Sequence, residues 1–343
     1  MEHPIAAVVI LNYNGRKYLE RFLPSVVKYT VDYWTKIYVA DNASTDDSVS
    51  FLQENFPEIT IIKFDKNYGY AEGYNQALRQ IKADYYVLLN SDVEVTKDWL
   101  QPLINIVKSD EKIAAAQPKI LDFNRRDYFE YAGAAGGHMD ILGYPFCLGR
   151  VFDHIEKDDG QYNEQQPVFW ASGACFIVDA TVFHRLGGFD GDFFAHQEEI
   201  DFCWRILRSG YEVWSCPQSR VYHIGGGTLN YQNPQKVFLN FRNNLFVLTK
   251  NLPATWLILI LPQRLILDGL AAIYMFFKEK SIAPVWAVIK AHFAFYASVF
   301  ALVKKRKGIR LPNKLPFTMY KKSVLWKYYV QGKKTARDIL TIQ

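Results

Sequence analysis

Cysteine is scarce in this chain of 343 residues: Cys147, Cys175, Cys203 and Cys216 are the full set, and none stands in a Cys-x-x-Cys pair. That spacing argues against a zinc site or a disulfide framework and fits buried thiols in a reducing compartment. The first strand-like run is not followed by Gly-x-Gly-x-x-Gly, which counts against a dinucleotide oxidoreductase. A Gly-x-x-x-x-Gly-Lys-Ser/Thr loop is also missing, which counts against a P-loop NTPase. The chain enters an apolar run, Ile5 to Leu11, almost at once, so no signal peptide is expected. Without secretion the Asn42-Ala43-Ser44 acceptor triplet carries little weight. Neither an internal repeat nor a low-complexity segment occurs.

Charge is present but unevenly spread. The net value is +5, yet Lys304 to Gln343 holds twelve Lys and Arg against one acid, Asp338, which leaves the rest of the chain net acidic. A basic, aromatic-rich tail seeks an anionic surface, either nucleic acid or anionic lipid. The segments before it decide for lipid, and no nucleic acid is expected. Ala254–Phe277 carries only Arg264 and Asp268, and Ile282–Val303 only Lys290, so each is long enough to cross a bilayer, which takes ~20 residues. The same runs also suit helices lying in the interface. Arg264 and Asp268 are spaced to pair on one helix face. The basic run after the apolar segments places this region on the cytoplasmic face of a membrane. The expected division is a catalytic domain over 1–250 and a membrane-associated helical region over 251–343. Nothing in the sequence speaks to oligomeric state.

Strand-like and helix-like segments alternate through the first 120 residues. Strands are expected at Ile5–Leu11, Lys36–Ala40, Ile59–Phe64, Tyr85–Leu89 and Ile113–Ile120. Helices are expected at Lys17–Tyr29, Asp47–Asn55, Tyr70–Ile81 and Trp99–Val107. Such alternation predicts an α/β fold with a mostly parallel sheet and βαβ crossovers. From Asp122 to Gln166 the pattern breaks, as in a surface insertion acting as lid or binding loop. Further elements are expected at Val168–Val178, Glu198–Ser209, Val213–Cys216, Arg220–Ile224 and Phe238–Thr249.

Each early strand ends in a polar cluster. The clusters are Asn12-Tyr13-Asn14-Gly15, then Asp41 to Asp46, then Asn67 to Asn75 with Gly69 and Gly73, then Asn90-Ser91-Asp92. Neighbouring parallel strands would bring them to one rim, where open α/β sheets bind ligands. Asp92 reads either as a ligand for a hard cation or as a helix cap. Asp41 reads either as a partner for a base or ribose hydroxyl, or as the start of a turn. Gly69 and Gly73 permit close backbone approach or simply tight packing.

The four segments Val9–Gly15, Val39–Asp46, Asn67–Asn75 and Leu88–Glu94, in this order, resemble the nucleotide-sugar-binding half of family 2 glycosyltransferases. These are inverting enzymes of GT-A fold, with bacterial members, rhamnosyltransferases among them, that build cell-surface polysaccharide. The resemblance spans roughly residues 5–250. It implies transfer of a hexosyl or rhamnosyl group from a nucleotide-sugar donor to a glycan or lipid-linked acceptor. It places Asp41 at the donor nucleobase, with Asn12, Asn14, Asn67, Gly69 and Asn75 from the other clusters as further donor-binding residues. Asn90 and Ser91 complete that set. Asp92 matches the last acid of an Asp-x-Asp metal site for Mg²⁺ or Mn²⁺; Asn90 fills the first position and removes one charge.

The second half supplies the remaining candidates. Glu198-Glu199-Ile200-Asp201 resembles the family's Glu-Asp-x-Asp segment, whose second acid is the catalytic base. Glu199 takes that place and Glu198 is the alternative. An inverting transfer needs one carboxylate to take the acceptor hydroxyl's proton; acids also simply favour helix N-termini. Asp201 and Arg205 read as a structural ion pair. Trp170 and Gly173, in Trp170-Ala171-Ser172-Gly173, resemble an acceptor-side segment, or else a core tryptophan beside a turn. His223, before Gly225 to Gly227, is a further metal or diphosphate ligand, or a structural histidine. Arg242 and Asn243 either reach a diphosphate or face solvent. A sugar-nucleotide nucleotidyltransferase and a non-catalytic membrane adaptor are the rival functions. The first needs a Gly-rich, Arg-bearing loop after strand one, where the chain has only Asn14-Gly15-Arg16. The second would not need Asp41, Asp92 and Glu199 together.

Overall fold

The computed structural model of the chain describes residues 5–30, 34–225, 233–307 and 314–341. The alternation expected from sequence is present as β1 (Ala6–Asn12), α1 (Arg16–Thr30), β2 (Thr35–Asp41), α2 (Ser48–Asn55), β3 (Thr60–Lys63), α3 (Gly69–Leu78) and β4 (Tyr85–Asn90). The strands run parallel in the order β3-β2-β1-β4. Both faces are covered, so alternate residues of one strand enter different cores. Val8 and Ile10 pack with Leu19, Leu23 and Val26 of α1, while Ala7 and Val9 pack with Ala71 and Tyr74 of α3.

Beyond β4 the sheet becomes mixed. After β5 (Val93–Val95), α4 (Leu100–Ser109) and β6 (Ile113–Asp122), the chain makes a separate four-stranded sheet from β7 (Gly137–Met139), β8 (Pro145–Cys147), β9 (Arg150–Val151) and β10 (His154–Ile155). It returns through β11 (Gln166–Val168), β12 (Cys175–Asp179), α5 (Ala180–Arg185), α6 (Glu198–Arg208) and β13 (Glu212–His223). β12 inserts antiparallel between β4 and β6, and β13 runs parallel to β6 while pairing antiparallel with β5 and β11. The pairing of Val93 with His223 brings the end of β13 to the end of β4.

Two sequence expectations change. The Asp122–Gln166 stretch is no open lid: Phe129, Met139, Phe146, Leu148 and Val151 are all buried in it. Strands of two or three residues are too short to show alternation, which hid them. The ordered stretch expected over Val168–Val178 holds the end of one strand, β11, and most of a second, β12, which pair with different neighbours.

α7 (Pro234–Asn251) begins with Asn233 capping the amide of Gln235 at 2.8 Å and proline at the first turn. α8 (Ala254–Glu279) and α9 (Ala283–Lys307) are the two apolar runs, and Arg264 and Asp268 pair at 2.8 Å as their spacing suggested. The tail, with α10 (Ala336–Leu340), folds back on the small sheet: the Tyr320 amide donates to the Met139 carbonyl and the Val324 amide to Asp140 Oδ2, both at 2.9 Å. Part of the basic charge expected to face a membrane is spent internally, since Lys305 pairs with Asp190 at 2.5 Å and Asp192 at 2.7 Å. Arg306 donates to the Thr249 carbonyl.

Candidate active site

The strand-end clusters meet at one rim. Asn12 donates from Nδ2 to Asp41 Oδ1 and to Ser44 Oγ, both at 3.1 Å, and Asp41 Oδ2 accepts from the Ser44 amide at 3.0 Å. Asn14 Oδ1 accepts from the Thr45 amide at 2.7 Å, locking the β1 and β2 loops together. Gly15 allows this approach: a Cβ there would stand 2.2 Å from Asn12 Oδ1 and 3.5 Å from Ser91 Oγ. Ser91 therefore lies beside Asn12. The Asn12 oxygen is buried without a hydrogen-bond partner.

The third cluster is held by a residue the sequence reading passed over. Asn42 donates to Asn67 Oδ1 and to the Gly69 carbonyl, both at 3.0 Å, and accepts from the Tyr68 amide at 2.9 Å. Its burial explains the bond set, and it also places the glycosylation-like triplet inside the fold. Asn75 does not join the rim. Its carboxamide clasps Phe189, donating to the carbonyl at 2.8 Å and accepting from the amide at 2.9 Å. Asn90 sits at the end of β4, its amide bonded to the Ala174 carbonyl at 2.9 Å.

Asp92 is buried next to His223, with Nε2 3.1 Å from Oδ1. On the other side of the ring, Nδ1 lies 3.5 Å from Glu130 Oε1, too far for a good hydrogen bond but close for an ion pair. Burial alone would lower the imidazole pKa; the Asp92 and Glu130 charges overcome it and hold it well above the ordinary histidine range. Burial pushes Asp92 up, and His223 more than reverses that, leaving its carboxyl below the ordinary value. Glu130 lies on the inserted segment, where no periodicity flagged it. Gly226, Gly227 and Thr228, which follow His223 and Gly225, lie outside the described residues.

Glu198 and Glu199 open α6 after a strained loop. Phe194, His196 and Gln197 all have positive φ, 63°, 69° and 68°, at a cost of about 1 kcal/mol or more each. Asn243 of α7 holds the loop, donating from Nδ2 to the carbonyls of Phe193 (3.1 Å), Ala195 (2.9 Å) and His196 (2.7 Å). Arg242 donates to the Asp192 and Phe193 carbonyls at 3.1 and 3.0 Å. Both are tied to this loop; Asn243 is buried and Arg242 is half-buried. The loop in turn touches the donor-side helix. The Phe194 carbonyl accepts from the Tyr70 amide at 2.7 Å, and a Cβ on Gly69 (φ +75°) would meet that carbonyl at 2.7 Å.

Burial raises both glutamates, Glu199 to about 7 and Glu198 well above the ordinary carboxylate range, Glu198 also by repulsion from Glu199 and Asp201. Glu198 is 3 % exposed, whereas Glu199 is half-buried and reachable. One carboxyl oxygen on each is buried without a partner. Asp201, by contrast, is the structural ion: it binds Arg205 at 2.9 Å, Lys250 at 2.8 Å and Asn251 at 2.8 Å.

The two ends of the site converge. The Tyr70 phenol, which donates to the Gly173 carbonyl at 2.6 Å, is raised by burial and by the charges of Glu198 and Glu199. The Cys147 thiol is raised by burial and feels both Glu130 and Glu199. Gly173 thus lies at the site, but Trp170 does not open onto it: it is 3 % exposed and its Nε1 donates to the His138 carbonyl at 3.0 Å. A cleft of about 400 Å³ lined by Leu78, Lys82, Tyr86 and His184 lies at the opposite, amino end of β4 and contains none of these groups.

The sequence profile described as "Glycosyl transferase family 2" matches residues 7–187. The chain belongs to this family, and its class of reaction is glycosyl transfer. It is 25 % identical over 237 residues to the N-acetylglucosaminyl-diphospho-decaprenol L-rhamnosyltransferase of Mycobacterium tuberculosis, covering 64 % of this chain and 76 % of that one. Two solved structures share the GT-A fold. GalNAc-T7 with UDP, GalNAc and Mn²⁺ superposes with a TM-score of 0.59 at 18 % identity, over 74 % of this chain and 49 % of the other. The mannosyltransferase PcManGT from Pyrobaculum calidifontis, with GDP-Man and Mn²⁺, gives 0.51 at 16 % identity, over 90 % and 81 %.

Proposed function

We propose that this protein transfers one hexosyl or rhamnosyl group, with inversion, from a nucleoside-diphosphate sugar to a hydroxyl of a lipid-linked or glycan acceptor in cell-surface polysaccharide synthesis. The acceptor class is suggested by the decaprenol-linked substrate in the mycobacterial relative's name and by the apolar helices beside the catalytic domain. The basic residues beside those helices support a location at the inner face of the cell membrane, where they would meet anionic lipid.

The observation that carries the reading is Glu199. Its carboxyl is half-buried, raised to about 7 and presented from a strained loop that touches α3 at the donor rim. A base poised near neutrality takes the acceptor's proton as its oxygen attacks the anomeric carbon from the side opposite the diphosphate. Glu198, buried beside it, is raised well above the ordinary carboxylate range by burial and by the Glu199 charge. The Asn12–Asp41–Ser44 and Asn42–Asn67–Gly69 networks pre-form the rim for the donor's nucleoside, so little ordering remains on binding. Asn75 supports that rim through Phe189 rather than by direct contact.

Asp92 and His223 fit a divalent ion, Mg²⁺ or Mn²⁺: one carboxylate oxygen and one imidazole nitrogen, Nε2, converge at 3.1 Å. Among the described residues no third His, Cys, Asp or Glu completes a protein-only cage, so the diphosphate must supply ligands. When bound, such an ion neutralises charge on the departing nucleoside diphosphate. His223 must give up its proton to ligate, which ties metal binding to pH.

The test is a thermal-shift screen of UDP-, GDP- and dTDP-sugars with and without Mn²⁺ or Mg²⁺, followed by transfer from the binding donor to a polyprenyl-diphosphate sugar. A metal-assisted shift and release of nucleoside diphosphate are expected. Pyrophosphate release from nucleoside triphosphate and sugar phosphate would instead make it a nucleotidyltransferase. Binding of no nucleotide would make it an adaptor.

A further inference from the structure

α8 and α9 are long and apolar enough to cross a bilayer, but their contacts leave no length free to do so. α8 is tied to the small sheet at two points. Arg264 donates to the Leu142 carbonyl at 3.4 Å and stacks on Tyr144 at 3.9 Å; Lys278 pairs with Asp153 at 3.0 Å. Those anchors stand roughly 21 Å apart along the axis at 1.5 Å per residue. The ten residues before Arg264 span only about 15 Å, against a hydrocarbon core of about 30 Å, and they start beside buried Leu252. α9 is held likewise. Phe295 meets Phe246 of α7 at 6.5 Å between ring centroids, and Lys305 and Arg306 close the far end on Asp190, Asp192 and Thr249.

Each helix has two opposed faces. On α8, Ile260, Arg264, Asp268 and Ala272 are buried every four residues. At 3.6 residues per turn, Leu259, Ile266, Leu270, Ile273 and Phe277 fall on the other side, and all are exposed. On α9, Ala287, Val288, Ala291, Phe295 and Leu302 are buried, while Trp286, Phe293 and Phe300 are exposed at seven-residue intervals, Phe300 to 90 %. The two charges of the α8 run therefore point into the protein, and its outer face is uncharged, with Thr255 and Gln263 among its apolar side chains. Exposed Trp326, Tyr329 and Val330 extend this surface, since Tyr329 packs on Phe152 beside Lys278's partner Asp153. Exposed Lys280, at the end of α8, and Lys304, near the end of α9, lie at its margins. A contiguous apolar surface of this extent on a water-soluble body marks an interaction site, and lysines beside it complement anionic headgroups.

We infer that α8 and α9 form a monotopic docking surface: they lie flat in one leaflet of an anionic phospholipid bilayer, with their outer stripes in the acyl region, and do not cross it. Both ends of both helices, and the α8–α9 turn, stay on the side of the catalytic domain. This rests on the membrane association proposed above, but not on the sugar-transfer chemistry.

The experiment uses full-length protein added to preformed phosphatidylglycerol–phosphatidylethanolamine vesicles. Flotation is expected, and F293D/F300D, which alters only exposed side chains, should weaken it at least tenfold with an unchanged melting temperature. Topology is read with a membrane-impermeant maleimide added outside. The four native cysteines are buried. Glu279→Cys, at the α8–α9 turn, should label to an extent comparable with Glu54→Cys on α2. A Glu279→Cys variant protected until detergent opens the vesicles would show a crossing hairpin and overturn the flat geometry alone. Absence of flotation would overturn the membrane association as well. A lipid-independent dimer broken by F293D/F300D would assign the surface to a second copy and overturn the inference.

Discussion

His223 stands with Nε2 3.1 Å from Asp92 Oδ1 and Nδ1 3.5 Å from Glu130 Oε1, a buried imidazole held between two carboxylates from different parts of the chain, whose charges raise it well above the ordinary histidine range against the effect of burial. Removing the ring leaves like charges uncompensated in a buried place. His223→Asn should destabilise the metal-free protein by about 3 kcal/mol, the scale of a broken buried ion pair. Urea unfolding measures this. A change below about 0.5 kcal/mol would mean the two carboxylates are solvated rather than paired.

Asn243 spans three backbone carbonyls of the loop that precedes Glu199, the proposed base. Asn243→Ala strands those carbonyls and releases the strained φ angles, so it should cost about 2–3 kcal/mol. Because the loop holds Glu199 while the donor rim has its own network, transfer turnover should fall more than donor affinity. Asn243→Asp, of equal size but unable to donate, should behave like the alanine variant. Equal losses in turnover and donor binding for both would assign Asn243 a general folding role.

Glu199 gives a pH signature with a defined sign. Its pKa is raised by burial to about 7, above the 4.5 of the unfolded chain, so the native state retains a proton the unfolded state has lost. Its contribution to stability is full below pH 4.5 and declines as pH rises towards 7. Transfer should run the other way and increase through pH 7 as the base frees. Glu199→Gln should match the wild type in stability at pH 4 and exceed it at pH 8, as read by denaturant midpoints. Identical midpoints at both pH values would contradict the raised pKa.

Asp190 and Asp201 show the opposite sign. Burial pushes both up, but Lys250 outweighs it, aided by Lys305 at Asp190 and Arg205 at Asp201, and both carboxyls are held below the ordinary aspartate range. Their stabilisation is present above pH 4 and lost as pH falls below it. Lys250→Met should cost about 3–5 kcal/mol at pH 7, since it leaves buried carboxylate uncompensated. The loss should shrink towards pH 2. A pH-independent loss would mean that packing, not charge, carries the effect.

The parts of this fold legible from sequence are those with a long period. β4 shows as an unbroken apolar run because helices cover both of its faces, and the glutamates at the start of α6 show because three acids crowd one helix turn. The rim could be read from strand ends because parallel neighbours align them. What stayed hidden depends on tertiary contact. Strands of two and three residues carry no period, so the small sheet looked like a loop and Glu130 went unnoticed. Asn42, Asn75 and Asn243 are alike in sequence, yet one orders the rim, one clasps Phe189 and one spans the loop before Glu198. An asparagine's partners are set by which backbone reaches it. Trp170 resembled an acceptor contact, but its indole is committed to His138.

The central claim is that Glu199 is the base of a glycosyl transfer, and single-turnover transfer by Glu199→Gln, with donor affinity measured on the same protein, tests it most directly. The account predicts that turnover falls by a factor on the order of 10²–10⁴ while nucleotide-sugar affinity stays within about twofold. Turnover equal to the wild type would contradict it.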